Sequence, residues 1–149
     1  MVIAQPYRIL TKEAIKRNAS YIKGDVLDAG CGPVLRYKDL FKFDKYITTD
    51  IDPNSGADII CSVEKIKVLD NSVDSVICTG VLGDIYDPQI PIKEFNRILK
   101  SGGYCLLVDN FVGFMHDQPI DYFRFTNFYL EKTFRDNGFE IIKSKKLNK

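Results

Sequence analysis

Short apolar runs rich in β-branched residues alternate along the chain with segments whose apolar positions recur at a helical period. This alternation is typical of a parallel sheet whose strands are joined by covering helices. The pattern predicts an α/β fold with a doubly wound, mostly parallel sheet, and we expect residues 1–149 to form a single domain. The predicted strands are 25–29, 45–50, 57–61, 74–79, 104–108 and 139–142.

Helices are predicted before the first strand and in several of the connections. Thr11 is expected to cap the first helix, whose apolar face carries Ile15, Ala19 and Ile22 and which ends near Gly24. The other predicted helices run over 35–41, from Asp87-Pro88 to Gly102-Gly103, and from Thr126 to Asn137-Gly138.

Charge and hydropathy narrow the class of protein. The 149 residues include 21 Lys and Arg against 20 Asp and Glu, and a net charge of +1 is too weak to steer the protein onto nucleic acid. No apolar run approaches the roughly 18 residues that span a bilayer, and the N-terminal segment lacks the pattern of a signal peptide. We therefore expect a cytoplasmic protein that does not enter a membrane.

The four cysteines offer no metal or disulfide pattern. They contain no C-x-x-C pair, which argues against structural zinc. Each lies in or beside an apolar stretch, where cysteine behaves as a small buried hydrophobe. We predict no metal site and four reduced thiols, at Cys31, Cys61, Cys78 and Cys105.

A glycine-rich turn follows the first predicted strand. Gly30, Cys31 and Gly32 stand at a strand-to-helix turn, where absent β-carbons let the backbone approach a ligand closely. The third glycine of a dinucleotide fingerprint would fall at position 35, which is Leu35, so pyrophosphate binding is disfavoured. Asp28, just before the turn, suits a ligand that carries an ammonium group.

A second acid ends the second predicted strand. Asp50 lies 22 residues after Asp28, where a carboxylate can accept both hydroxyls of a ribose. Asp52 competes for the same role. An isolated acid at a strand end is often only a turn or cap residue, but its pairing with the glycine turn favours a ligand site.

Four strings together resemble class I S-adenosylmethionine-dependent methyltransferases, in particular the family of methyltransferase type 11 domains. They occur in the order and spacing of that family, from about Gly24 to Phe139. The resemblance implies a Rossmann-like fold, S-adenosylmethionine as methyl donor and S-adenosylhomocysteine as product. The strings are VLDAGCGP, TDID, DNSVDSVICTGVL and EFNRILKSGGYCLLV.

The same resemblance implies a cofactor site. In the family the position of Asp28, with the loop of Gly30, Cys31 and Gly32, holds the methionyl end of the cofactor, and Asp50 takes the ribose hydroxyls, with Ile51 beside it. The remaining positions that match the family's cofactor contacts are Ser62 and Val63 at the adenine, and Thr79 and Gly80 near the sulfonium.

The chain departs from the family at three points. Ser62 stands where an aspartate usually accepts from the adenine amino group, and Leu82-Gly83-Asp84 replaces a common Leu-Glu-His. The usual last antiparallel strand is not recognisable, which would leave a sheet edge exposed. We therefore expect a minimal form of the fold and a homodimer or a protein partner that covers this edge or the open face.

The acceptor side is expected after the fifth strand. Histidine is the residue type that most often transfers protons near neutral pH, so His116, the only histidine, is the first candidate base and Asp121 is the second. The alternatives are a structural histidine and a local ion pair between Asp121 and Arg124. The resemblance implies methyl transfer to an oxygen or nitrogen of a small-molecule acceptor; the alternative is a catalytically degenerate cofactor-binding module that regulates or completes a partner.

Overall fold

The computed structural model describes residues 6–117 and 119–145. Its sheet contains five strands, all parallel, in the order β3-β2-β1-β4-β5. This confirms the predicted doubly wound, Rossmann-like α/β fold. The strands are β1 (Asp25–Ala29), β2 (Lys45–Asp50), β3 (Ile59–Ile60), β4 (Val73–Thr79) and β5 (Leu99–Val108).

Helices cover both faces of the sheet. On one face, Ile15 of α1 (Pro6–Asn18) is buried in a cluster with Val26 and Ile77. On the other, α2 (Gln89–Ile98) and α3 (Asn127–Asp136) bury Phe95 and Phe134 against the alternate side chains of the same strands. Successive strand residues point to opposite faces, so the near-continuous apolar runs of β1 and β4 serve both layers. No helix in these described ranges is long and apolar enough to cross a membrane.

Several sequence predictions of local structure are confirmed. Ile15 is buried on the face of the first helix, although α1 ends at Asn18 rather than near Gly24 and the buried Ile22 is extended. Thr126 caps α3 by accepting a 3.2 Å hydrogen bond from the amide of Tyr129. At the other end of α3, Gly138 has a positive φ of +86°, as expected for a residue that follows a helix. The four cysteines are free thiols.

Three helix predictions were wrong in their limits. Thr11 does not cap the first helix, which already begins at Pro6 and buries Thr11 completely. Proline suits a first helical turn because its missing N–H would be unpaired there in any case. The segment 35–41 contains only a 3₁₀ turn over Lys38–Leu40, and Leu35 is left 39% exposed, so burial offers it little reason to become helical. The helix α2 ends at Ile98 rather than at Gly102-Gly103, because Leu99 is extended and begins β5.

Two strand predictions also need correction. The third strand is only Ile59–Ile60, shorter than the predicted 57–61. The predicted sixth strand at 139–142 does not form: the amide of Phe139 donates to the carbonyl of Phe134, which closes the end of α3. Phe139 then packs on the Phe134 ring with centroids 5.0 Å apart. Phe139 and Ile141 therefore pack against the core, although their segment does not pair with the sheet.

Candidate cofactor and acceptor site

The carboxyl ends of all five strands lie along one edge of the sheet, and β1 and β4 are neighbours at its centre. The connections from these two strands leave toward opposite sides of the sheet, which opens a crevice where ligands bind in folds of this type. Gly30, in the loop after β1, has φ +72°, and a β-carbon there would lie 2.5 Å from Cγ2 of Val81, in the loop after β4. The two loops therefore meet closely across the crevice.

The amide groups of the glycine turn form hydrogen bonds within the protein, although we expected this backbone to approach a ligand. Gly30 and Cys31 donate their N–H groups to the carbonyl of Thr49, at 2.9 and 3.0 Å, and Gly32 donates to Asp50 at 2.8 Å. These bonds tie the turn to β2, so the amides do not face an open crevice. No helix begins at this turn that could hold a carboxylate by its N-terminus. What the turn offers is space: a β-carbon on Gly32 would have no neighbour within 4 Å.

Asp28 is a buried acid beneath the turn. It is 8% exposed and accepts a 2.7 Å hydrogen bond from the hydroxyl of Tyr46. Burial, opposed by this hydrogen bond and reinforced by the nearby Asp50, raises the pKa of Asp28 to about 6. Burial and the adjacent Asp28 also raise the pKa of the Tyr46 phenol, which stays a donor. A cationic ligand would relieve the cost of this desolvated carboxylate.

Asp50 is held by backbone amides and points toward the same turn. One carboxylate oxygen accepts from Gly32 at 2.8 Å and the other from Asp52 at 2.9 Å, and the residue is 9% exposed. Asp52 instead accepts from the backbone and side-chain nitrogens of Asn54 and shapes an exposed turn. The geometry thus favours Asp50 over Asp52 as the acid of the site. Ile51, between them, is 72% exposed and leaves an apolar surface beside Asp50.

The loop after β3 contains the two residues expected at the adenine. Val63 is 5% exposed and belongs to the core. Ser62 donates its hydroxyl to the carboxylate of Glu64 at 3.2 Å and accepts from the Glu64 amide at 3.1 Å. Glu64 was not singled out from the sequence, and it places an acid beside the position where the family has one.

An ion pair on α2 holds the same loop through hydrogen bonds. Glu94 accepts the amide of Ile66 at 2.7 Å, and Arg97 pairs with Glu94 and donates to the carbonyls of Ile66 and Val68. These contacts join a stretch of coil to a helix that is itself packed in the core. They fix the loop after β3 relative to α2.

The loop after β4 carries Thr79 and Gly80 and then turns through a 3₁₀ segment, Leu82–Asp84. Thr79 is half-buried and Gly80 is exposed, so both are accessible at the crevice. Asp109, directly after β5, accepts the amide of Leu82 at 2.9 Å and holds the segment in place. Burial raises the pKa of Asp109.

Gly83 explains one departure from the family. Its carbonyl accepts the amides of Tyr122 and Phe123, at 2.8 and 3.0 Å, and a β-carbon on Gly83 would lie 3.0 Å from the Phe123 carbonyl oxygen. A glutamate here would push this strand-like segment away. The loop after β4 and the segment around 120–125 are therefore packed backbone to backbone.

His116 and Asp121 are brought together at this place. The amide of His116 donates to Asp121 at 3.0 Å, and ring Nδ1 of His116 lies 3.3 Å from the same carboxylate. Arg124 binds both oxygens of Asp121, and this bidentate pair holds the pKa of Asp121 below its usual range. Asp121 therefore forms the ion pair with Arg124 that the alternative interpretation of the sequence expected, and it contacts the histidine from that pair.

Asp84 completes the group on its other side. Its Oδ1 lies 3.6 Å from Nε2 of His116, and burial raises the pKa of Asp84. Asp84, His116 and Asp121 each offer a metal-ligating atom, all within 4.8 Å of one another. Because Arg124 already occupies both oxygens of Asp121, the group is poorly suited to a divalent cation.

Asp84, Asp109 and Tyr46 were missed as site residues by sequence reasoning. Asp109 directly follows the end of β5, the same strand-end signal that drew attention to Asp50, and it could have been found in that way. The role of Tyr46 depends on register: it stands opposite Val26 in the neighbouring strand, two positions before the partner of Asp28. Asp84 was seen only as a departure from a motif.

Comparison with known families agrees with this architecture. The family model described as a methyltransferase domain matches residues 27–107, from within β1 to the end of β5. The chain belongs to this methyltransferase domain family. A search of curated proteins found no significant match.

Solved structures share the fold at low sequence identity. A candidate methyltransferase from Bacillus halodurans C-125 has a TM-score of 0.75 and 18% identity over 88% of this chain and 69% of its own. The complex of a Haloferax volcanii methyltransferase activator with a candidate methyltransferase gives 0.70 and 23%, over 87% and 67%. A Haemonchus contortus phosphoethanolamine N-methyltransferase, bound to phosphomonomethylethanolamine and S-adenosylhomocysteine, gives 0.68 and 18%, over 86% and 36%.

Proposed function

We propose that this chain binds S-adenosylmethionine at the crevice between β1 and β4 and transfers its methyl group to an oxygen or nitrogen of a small-molecule acceptor. The observation that carries the proposal is the pair of buried acids, Asp28 and Asp50, at the ends of adjacent strands around a glycine turn with open space at Gly32. An ammonium at Asp28 and a ribose diol at Asp50 match the two ends of that ligand.

In this arrangement the protein's part is mainly alignment and exclusion of water. When bound, the donor supplies a methyl group on a positively charged sulfur. Asp28 would neutralise the ammonium of the donor's methionyl end, and Asp50 would hold the ribose hydroxyls, with Gly32 and Ile51 beside it. Thr79 and Gly80 would lie near the methyl group, and His116 on the acceptor side would take a proton. Glu64 provides a carboxylate for the adenine amino group where Ser62 does not.

The proposal is tested by thermal unfolding with candidate ligands. S-adenosylmethionine and S-adenosylhomocysteine at about tenfold excess over a micromolar dissociation constant should stabilise the protein by about 1.4 kcal/mol, whereas NAD should not. Stabilisation by NAD alone would reject the proposed cofactor.

A second candidate is a degenerate cofactor-binding module that completes a partner protein. The observation in its favour is the pair of hydrogen bonds between the Ser62 hydroxyl and Glu64, which diverts that hydroxyl from a ligand. The Haloferax complex supports a protein partner by analogy. Cofactor binding without turnover on any acceptor, together with a stable hetero-complex or homodimer by light scattering, would favour this candidate.

A further inference from the structure

One carboxylate oxygen on the acceptor side has no hydrogen bond within the described chain. Oδ1 of Asp84 is buried, and Nε2 of His116 lies 3.6 Å from it, beyond hydrogen-bond range. A buried acceptor left unpaired costs free energy. A hydrogen-bond donor on a bound ligand would remove this cost.

The other ring nitrogen of His116 decides which way its proton points. Nδ1 lies 3.3 Å from the Phe114 carbonyl oxygen and 3.3 Å from Oδ2 of Asp121, both of which can only accept. Arg124 Nη2 is also near Nδ1, at 3.4 Å, but it already donates to Asp121 and Phe114. Two acceptors at Nδ1 favour a proton there, so in the neutral imidazole Nε2 is the lone pair that faces Oδ1 of Asp84.

Two acceptors that face each other need a donor with two hydrogens on one atom. Among the oxygen and nitrogen groups that accept a methyl, an amine or ammonium nitrogen has them, whereas a hydroxyl has only one. A zinc ion would find only Asp84 and His116 free, because Arg124 binds both oxygens of Asp121, and zinc sites usually supply at least three protein ligands.

The surroundings also favour a cation. The positive charge of Arg124 does not oppose a bound cation, because Asp121 neutralises it. Tyr86 is 79% exposed and packs edge to face on Tyr122 with centroids 5.6 Å apart. Exposed aromatic rings attract organic cations, and Tyr86 lies two residues beyond Asp84. Val81, three residues before Asp84, abuts the glycine turn, so the group lies next to the proposed cofactor crevice.

We propose that the acceptor of this site is an amine, bound as its ammonium by Asp84 and giving up one proton to Nε2 of His116. This inference rests on the proposed function and specifies its substrate class. Asp84 is then the group that selects amines over alcohols, and Asp121 with Arg124 keeps the histidine in the required tautomer.

The test compares two ligands that differ only in their polar group, 2-phenylethylamine and 2-phenylethanol, by calorimetry on the protein saturated with S-adenosylhomocysteine. The amine should bind at least about tenfold more tightly than the alcohol. Asp84→Asn should remove this preference. Asp117→Asn is the matched control: it removes the same charge from an exposed residue whose φ of +47° asparagine tolerates, and it should keep the preference.

Equal binding of the two ligands, or no binding of either, would overturn the amine assignment. Equal loss in both variants would also overturn it, because it would show a diffuse field instead of a specific oxygen. Binding of Mg²⁺ or Zn²⁺ to the wild type but not to Asp84→Asn would assign the group to a metal and contradict the inference. Failure to bind S-adenosylhomocysteine at all would instead reject the proposed function, so the two failures are distinguishable.

Discussion

The two halves of the crevice are built in opposite ways. On the cofactor side, backbone amides of the loops after β1 and β2 satisfy both oxygens of Asp50, and Thr49 holds the glycine turn. On the acceptor side, side chains from the two loops after β4 and β5 meet, and Oδ1 of Asp84 has no hydrogen bond among the described residues. The first half depends on sheet geometry and is shaped before any ligand arrives. The second depends on contacts between loops and contains a buried hydrogen-bond acceptor that a ligand could pair with.

The largest expected effect breaks the acceptor half alone. His116→Ala should slow methyl transfer by about 100-fold or more, because it removes the proposed proton acceptor. Affinity for S-adenosylhomocysteine should stay unchanged, since no cofactor-side contact is lost. Single-turnover kinetics with an amine acceptor and calorimetry measure the two quantities. A parallel loss of cofactor affinity would contradict the division into two halves.

The next effect concerns the free-energy cost of burying the Asp28 carboxylate in the cofactor half. Burial raises the pKa of Asp28 to about 6 from 3.8. Between those values the folded chain binds a proton that the unfolded chain releases, so stability falls as pH rises and the full penalty remains above pH 6. Asp28→Asn should therefore stabilise the ligand-free protein by about 2–3 kcal/mol at pH 8, with little gain near pH 4.

Urea unfolding at the two pH values tests this prediction. Asparagine can still accept from Tyr46, so the substitution changes mainly the charge. The same variant should bind S-adenosylmethionine more weakly at pH 8, because the ammonium of the ligand loses the negative charge of the Asp28 carboxylate. A variant that is less stable than the wild type at pH 8 would show that the Asp28 carboxylate is not strained.

A smaller effect compares two glycines in the same turn. Both have positive φ, +72° at Gly30 and +64° at Gly32, but only Gly30 would place a β-carbon against Val81. Gly30→Ala should cost about 1–2 kcal/mol of unfolding free energy more than Gly32→Ala, whose cost is backbone strain alone. Chemical denaturation of both variants gives the difference. Equal losses would mean that the loops after β1 and β4 do not pack as described.

The same contrast explains what the sequence could predict. Strand ends are visible as acids and glycines after apolar runs, so Asp28, Asp50 and the glycine turn were expected together. The hydrogen bonds from the amides of this turn to the Thr49 carbonyl were not expected, because they depend on how closely the turn approaches the neighbouring strand. The pairing of Asp121 with Arg124 was foreseen as an alternative, since the two are three residues apart. The approach of Asp84 to His116 joins loops 32 residues apart and leaves no local signal.

The central claim is that Asp50, held by Gly32, binds the ribose of the cofactor. Calorimetric titration of S-adenosylhomocysteine into the wild type, Asp50→Ala and Asp52→Ala tests it most directly. We expect at least about a tenfold loss of affinity in Asp50→Ala, because a charge-assisted pair of hydrogen bonds is removed. We expect a change within about twofold in Asp52→Ala, whose carboxylate serves only its own turn. Unchanged affinity in Asp50→Ala would contradict the account.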